Sequence, residues 1–90
     1  MLQTISIIVS GKVQGVFYRQ STKEKARELE VKGFVKNLPD GNVHIIATGT
    51  IPQLDALIKW CWQGPERAGV KDVRYEACAF QSFVSFSIEK

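Results

Sequence analysis

The feature that most constrains the fold is a repeated switch between two hydrophobic periods. Up to about Ser10 the apolar residues share one face at every second position, which predicts a strand. After a glycine-bearing loop they recur at helical spacing from Tyr18 to about Val31, with lysines and glutamates on the other face. Gly33 is placed to end this helix as its C-cap residue. The apolar positions of these two elements are Ile5, Ile7 and Val9, and then Tyr18, Thr22, Ala26 and Leu29.

The middle of the chain predicts a hairpin and a second helix. Residues 34–38 and 42–48 are typical of strands, and Pro39-Asp40-Gly41 between them is typical of a turn. Thr50 and Gln53 resemble a capping box at the start of a helix, which Gln63-Gly64-Pro65 ends. The buried stripe of that helix is predicted to be Leu54, Leu57, Ile58 and Cys61.

Two further strands complete a βαββαβ order with a short closing strand. Alternating apolar residues mark the fourth strand and then the fifth, namely Val73, Tyr75 and Ala77, and Val84, Phe86 and Ile88. This order predicts an α+β fold, the ferredoxin-like sandwich, with an antiparallel sheet and both helices on one face. A chain of 90 residues is expected to form one domain, residues 1–90. Because this fold serves enzymes, metal carriers and RNA binders, it does not define a function.

Composition excludes several classes of protein and function. The net charge of +3 suits an anionic ligand, but the basic residues are scattered, which favours solubility over a nucleic-acid footprint. Cys61 and Cys78 lack the C-x-x-C spacing of zinc or iron–sulfur ligands, and they permit one disulfide without requiring it. Neither a signal peptide nor an apolar stretch near the ~20 residues of a membrane span is evident. We therefore expect a cytoplasmic protein.

The loop from Gly11 to Arg19 is the segment most indicative of chemistry. It leads from the first strand into a helix N-terminus, where unpaired N–H groups and a partial positive charge favour an anion. Gly15 can take a positive φ, and the guanidinium of Arg19 suits two phosphate oxygens. Glycine-bearing loops followed by arginine are nevertheless common. The spacing does not match a Walker A loop, and neither a cysteine nucleophile nor a paired-aspartate motif is present.

Two long motifs resemble the signatures of the acylphosphatase family. V-S-G-K-V-Q-G-V-F-Y-R, from Val9 to Arg19, resembles its phosphate loop, and the stretch from Gly33 to Gly49 resembles its second signature. Their order and spacing also fit, so the similarity covers nearly the whole chain. Tyr18 stands where the family more often has Phe, and Thr48 where it often has Glu.

The resemblance implies a set of site residues and a reaction. Arg19 would bind the substrate and Asn37 would orient a water. The phosphoryl oxygens would be held by backbone N–H groups of Gln14, Gly15, Val16, Phe17, Tyr18 and Arg19. The implied reaction is hydrolysis of an acyl phosphate to a carboxylate and inorganic phosphate, with no metal and no cofactor. We also expect a monomer without nucleic-acid or membrane partners.

Competing interpretations come from the same fold class. An RNA-binding module stacks bases on aromatic residues of its central strands, and the predicted first and third strands contain none. A metal carrier would need a thiol pair in the loop, and residues 11–16 contain none. A phosphate-binding domain without turnover stays open, although the pair Arg19 and Asn37 favours activity.

The remaining chemically notable side chains are expected to have structural roles. His44 alternates with apolar hairpin residues and should face away from the core. Cys61 should lie in the core, and Cys78 receives no role. By helical phase Trp62 should border the buried stripe and Trp60 should be more exposed.

Overall fold

The computed structural model describes residues 1–89, so the last residue of the predicted domain lies outside the described residues. The order of elements matches the sequence prediction. Strands and helices follow one another as β1 (Gln3–Lys12), α1 (Tyr18–Glu28), β2 (Lys32–Asn37), β3 (Val43–Gly49), α2 (Ile51–Gln63), β4 (Gly69–Cys78) and β5 (Phe86–Glu89).

The strands form one sheet in the spatial order β4-β1-β3-β2-β5. The first four are antiparallel to their neighbours, as predicted, whereas β5 pairs in parallel with β2. The complete sheet is therefore mixed. This added pairing sets Ile88 beside Val35, so the end of the described chain lies next to the strand that carries Asn37.

Both helices pack on one face of the sheet, and the alternating residues of β1 and β3 that face them are buried. The predicted ferredoxin-like sandwich is confirmed. The largest fully buried side chains of its core include Tyr18, Phe86, Ile7, Ile45, Leu57, Val9 and Val35.

The first helix ends earlier than its periodicity predicted. Glu30 adopts a left-handed conformation with φ of 61°, and the Val31 N–H donates to the Ala26 carbonyl oxygen at 2.8 Å. This bond closes the last turn in the Schellman manner, so the helix ends at Glu28. The prediction that Gly33 is the C-cap residue is wrong, since Gly33 lies within β2.

The predicted order of burial of the two tryptophans is wrong. Trp60 packs on the core, with its ring centroid 5.4 Å from that of Tyr18, whereas Trp62 is 50% exposed. The reason is the partner helix: Tyr18 at the start of α1 supplies a surface on the side of α2 where Trp60 lies.

Alternation overestimated burial at the two edges of the sheet. Val73 is buried, but Tyr75 is 59% exposed because it lies on edge strand β4. Phe86 is buried, whereas Val84 is 94% exposed and precedes β5. Alternation alone does not define which part of an edge strand a helix covers.

A tight turn closes the β2–β3 hairpin at the predicted place. The Leu38 N–H donates to the Asn42 carbonyl oxygen at 2.8 Å, and the Gly41 N–H donates to the Leu38 carbonyl oxygen at 3.1 Å. Gly41 has φ of 94°, which glycine adopts without strain. The turn keeps Asn37, the last residue of β2, at the end of the sheet where the loop between β1 and α1 passes.

Candidate active site

The loop between β1 and α1 has the backbone conformation of an anion-binding nest. Gly15 and Phe17 have positive φ angles of 72° and 62°, and Phe17 is the N-cap residue of α1. The Ser21 N–H donates to the Phe17 carbonyl oxygen at 3.0 Å, which is the first hydrogen bond of the helix. The N–H groups that precede it have no acceptor inside the helix and are available to an anion.

A cavity of about 360 Å³ opens over this loop. It brings together Asn37 and five of the six predicted loop residues. Its lining consists of Val13, Gln14, Gly15, Phe17, Tyr18, Arg19, Gln20, Asn37 and Ile88. The exception is Val16, whose side chain is buried in the core at 4% exposure; the prediction for Val16 concerned its backbone N–H group.

Arg19 lies in the first turn of α1 and is tethered by the closing strand. Its Nη1 atom donates to the carbonyl oxygen of Glu89 at 3.3 Å. This contact limits the conformational freedom of the long side chain while the guanidinium lines the cavity. Arg19 thus places a cation beside the N–H groups of the loop.

Asn37 lines the same cavity and has an amide oxygen without a hydrogen-bond partner in the described part of the chain. Its Oδ1 atom is buried and makes no hydrogen bond with any residue that the structure describes. Burying a polar atom without a partner costs about 1–3 kcal/mol, so such atoms are rare outside functional sites. Asn37 can both accept and donate through one carboxamide, which fits a water or a phosphoryl oxygen.

Tyr18 lines the cavity and connects it to helix α2. Its hydroxyl donates to the Cys61 carbonyl oxygen at 2.7 Å, and burial raises the pKa of the phenol far above its usual range. Burial also raises the pKa of the Cys61 thiol to about 12, so neither group ionises near neutral pH. The predicted core position of Cys61 is confirmed, and both cysteines are free, so the permitted disulfide is not formed.

Two other notable polar residues lie outside the cavity. Thr48 is buried and shares a 2.6 Å hydrogen bond with the hydroxyl of Thr4. His44 lies between the buried Val43 and Ile45 and faces away from the core, as predicted. Its Nε2 atom hydrogen-bonds the Ser6 hydroxyl at 2.9 Å, so His44 is unavailable as a base in the cavity.

A larger groove of about 530 Å³ lies elsewhere, between the end of α1 and residues 80–86. It contains Arg27 but lacks the loop of left-handed residues and Asn37. In residues 1–89 no helix is long and apolar enough to cross a membrane, and no cluster of His, Cys, Asp and Glu could hold a metal ion.

Sequence reasoning missed three residues that line the cavity: Val13, Gln20 and Ile88. It predicted Gln14 but missed that its side chain reaches the β2–β3 turn. The alternation of Phe86 and Ile88 signalled an inward Ile88, but only the parallel pairing of β5 with β2 brings it to this end of the sheet. A side chain that bonds to backbone carbonyls distant in sequence leaves no periodic signal.

Comparison with known proteins gives a consistent result. The family model described as Acylphosphatase matches residues 5–88. An acylphosphatase of Marinobacter nauticus is 57% identical over 81 residues, which cover 89% of this chain and 88% of that protein. The solved acylphosphatase of Coxiella burnetii superposes with a TM-score of 0.95 at 40% identity, covering 98% of this chain and 93% of that one. The Bacillus subtilis acylphosphatase structure gives a TM-score of 0.95 at 32% identity over the full length of both chains.

Proposed function

Because the chain belongs to the acylphosphatase family, whose members act on small acyl phosphates, we propose that its cavity hydrolyses them by direct attack of water on phosphorus. The products are a carboxylate and inorganic phosphate. The P–O bond to the acyl group breaks as the water oxygen bonds to phosphorus. The carboxylate is a weak base and leaves without a general acid.

The loop and Arg19 bind the phosphoryl group in this proposal. The backbone N–H groups from Gln14 to Arg19 donate to the phosphoryl oxygens at the positive end of α1. Arg19 adds a charge-assisted contact in the same cavity. These donors stabilise the charge that develops on the phosphoryl oxygens in the transition state, so the proposed reaction needs no metal ion.

Asn37 orients the attacking water. Its carboxamide holds that water, with one N–H to donate and one oxygen lone pair to accept, and it can also donate to a phosphoryl oxygen. Orientation converts a mobile water into one held in line with the leaving group. The water's proton passes to a phosphate oxygen. The observation that carries the proposal is that the loop, Arg19 and Asn37 line one cavity, and that the Asn37 amide oxygen has no hydrogen-bond partner among residues 1–89.

In this proposal the cavity encloses the phosphoryl group and leaves the acyl group of the substrate partly outside. The phosphoryl group occupies the loop, and the acyl group extends toward Phe17, which lines the cavity and is 74% exposed. We propose further that residues 1–90 act as one domain and as a monomer in the cytoplasm, without a nucleic-acid or membrane partner.

The test is phosphate release from benzoyl phosphate in excess EDTA. We expect hydrolysis to survive the chelator and most of it to be lost in Arg19→Ala, which should also bind phosphate more weakly. Arg74→Ala is the matched control, since Arg74 is 85% exposed on β4 and outside the cavity.

Asn37→Ala should lower kcat by roughly 10²-fold while sparing phosphate binding. Folded protein that binds phosphate without turnover would instead indicate a phosphate-binding domain.

A further inference from the structure

Gln14 makes hydrogen bonds that the mechanism above does not use. Its Nε2 atom donates to the carbonyl oxygen of Leu38 at 2.9 Å and to that of Asn42 at 2.8 Å. Both N–H groups of the primary amide are thereby engaged. The two acceptors lie on opposite sides of the β2–β3 turn, so one side chain of the loop hydrogen-bonds to both ends of the turn.

These bonds are additional to those of the hairpin itself. The Leu38 carbonyl oxygen already accepts from Gly41, and the Asn42 carbonyl oxygen already accepts from the Leu38 N–H. Each oxygen has a second lone pair, which Gln14 occupies. The hairpin therefore forms through its own bonds, and the contribution of Gln14 is to connect it to the loop.

The connected point lies next to Asn37. Asn37 pairs with Val43 of β3, and within residues 1–89 the parallel pairing of β2 with β5 is described as far as Lys36. The end of β2 is thus held by β3 on one side. The Gln14 amide, bonded to the next residue along the chain, supplies the contact from the side of the loop.

We infer that Gln14 is a positioning residue that fixes the separation between the anion-binding loop and the amide of Asn37. The inference rests on the proposed function, because that separation is the distance between the phosphoryl group and its attacking water. Misplacement by about 1 Å can cost on the order of 10²-fold in rate. The loop takes its shape from main-chain torsion angles at Gly15 and Phe17, whereas both bonds of the Gln14 amide go to the turn. Losing the amide donors therefore lowers turnover and spares phosphate binding.

A double-mutant cycle tests this coupling. Gln14→Met keeps the length of the side chain and removes its donors, and it is measured alone and together with Asn37→Ala. The readouts are kcat and KM for benzoyl phosphate, the inhibition constant of inorganic phosphate and the midpoint of thermal unfolding. Gln63→Met is the matched control, since Gln63 is exposed at the end of α2.

In the parent background we expect Gln14→Met to lower kcat by about 10-fold or more, with the phosphate inhibition constant within about 2-fold. In the Asn37→Ala background the same substitution should lower kcat by less than about 2-fold, because the residue it positions is gone. Gln63→Met should change neither quantity.

Several results would overturn the inference: an unchanged kcat, an equal loss in both backgrounds, or phosphate inhibition weakened in parallel with kcat. Gln14→Glu, which has the same length and no N–H donors when ionised, replaces Gln14→Met if that variant unfolds. If both variants unfold, the hydrogen bonds of Gln14 serve the stability of the fold, and this result would equally overturn the inference. The proposed function is tested separately, by the single variant Asn37→Ala. Turnover at the parent rate in that variant would reject the water-orienting role, and the inference about Gln14 would fail with it.

Discussion

Asn37 places an uncharged amide where a carboxylate would oppose the substrate. An aspartate at the end of β2 would put a negative charge in the cavity for which we propose phosphoryl binding, and like charges in one site disfavour each other. The amide avoids this repulsion and still offers an acceptor and a donor. Leaving Oδ1 without a partner among residues 1–89 lowers stability, a cost that is consistent with the catalytic role proposed for Asn37.

The ring of His44, unlike the amide oxygen of Asn37, has a hydrogen-bond partner. It lies on the face of the sheet away from the helices. Its partial burial lowers the pKa, and Lys36, its cross-strand neighbour, adds a smaller effect in the same direction. The unfolded chain therefore binds a proton at higher pH than the folded one. Folding stability should fall as pH decreases through about 6.5, the unfolded pKa, and the loss should be complete below the folded pKa.

The measurement is urea unfolding of the parent and of His44→Gln at about pH 7.5 and about pH 5.5, which bracket the usual histidine pKa. The parent should lose free energy of unfolding between these conditions, and His44→Gln should lose less because no other histidine is present. Identical losses in the two proteins would show that His44 does not contribute to the pH dependence.

At the scale of elements, the pairing of β2 with β3 depends on a close backbone approach. Gly33 has φ of 147°, and a Cβ atom there would overlap the carbonyl oxygen of Ile46 on β3. Gly41 also has a positive φ, but a Cβ atom at the turn would meet nothing within 4 Å. A substitution at Gly41 therefore meets backbone strain alone, whereas one at Gly33 meets strain and steric overlap together.

We expect Gly41→Ala to lower the free energy of unfolding by about 1 kcal/mol through strain alone. Gly33→Ala should cost about 3 kcal/mol or more, because the overlap with Ile46 forces the two strands apart. Chemical denaturation of both variants measures the difference. Equal costs would mean that the strands adjust to the methyl group without losing their pairing.

The elements could be predicted from sequence wherever one face of an element is buried and its period is clear. The capping box of Thr50 and Gln53 is present, and the hairpin turn lies where Pro39-Asp40-Gly41 predicted it. The errors arose at a local exception to residue preference and at a tertiary contact. Glu30, of a residue type that seldom takes a left-handed conformation, ends α1 where glycine was expected. Trp60 is partly buried because it packs against Tyr18.

The cavity was only partly predictable because tertiary contacts complete it. The motif around Arg19 and the strand-end position of Asn37 are visible in the sequence, and the structure brings them to one cavity. The parallel strand β5 and the two bonds of Gln14 depend on how distant segments meet. Neither leaves a local pattern in the residues that form it.

At the scale of the whole molecule, ligand binding and folding are linked. A ligand that binds only the folded chain adds about 2.7 kcal/mol to the free energy of unfolding at 100 times its dissociation constant. For a domain of this size that corresponds to a rise of roughly 10 °C or more in the midpoint of thermal unfolding.

Inorganic phosphate should raise the midpoint for the parent, compared with sodium chloride of equal ionic strength. Arg19→Ala should show a much smaller rise, because it loses the cation in the cavity. Differential scanning calorimetry across a phosphate titration measures both. An equal rise in the two proteins would mean that phosphate stabilises the fold at some place other than the cavity.

The left-handed Phe17 at the start of α1 also determines how the proposed binding site can be studied. A recognition surface made of main-chain amides is encoded in torsion angles, so replacing side chains one at a time from Val16 to Tyr18 removes none of its donors. Alanine scanning would report packing and strain, and the recognition itself would go undetected. Chemical synthesis that exchanges single peptide bonds for esters deletes one donor at a time, and it is the method suited to resolving this site atom by atom.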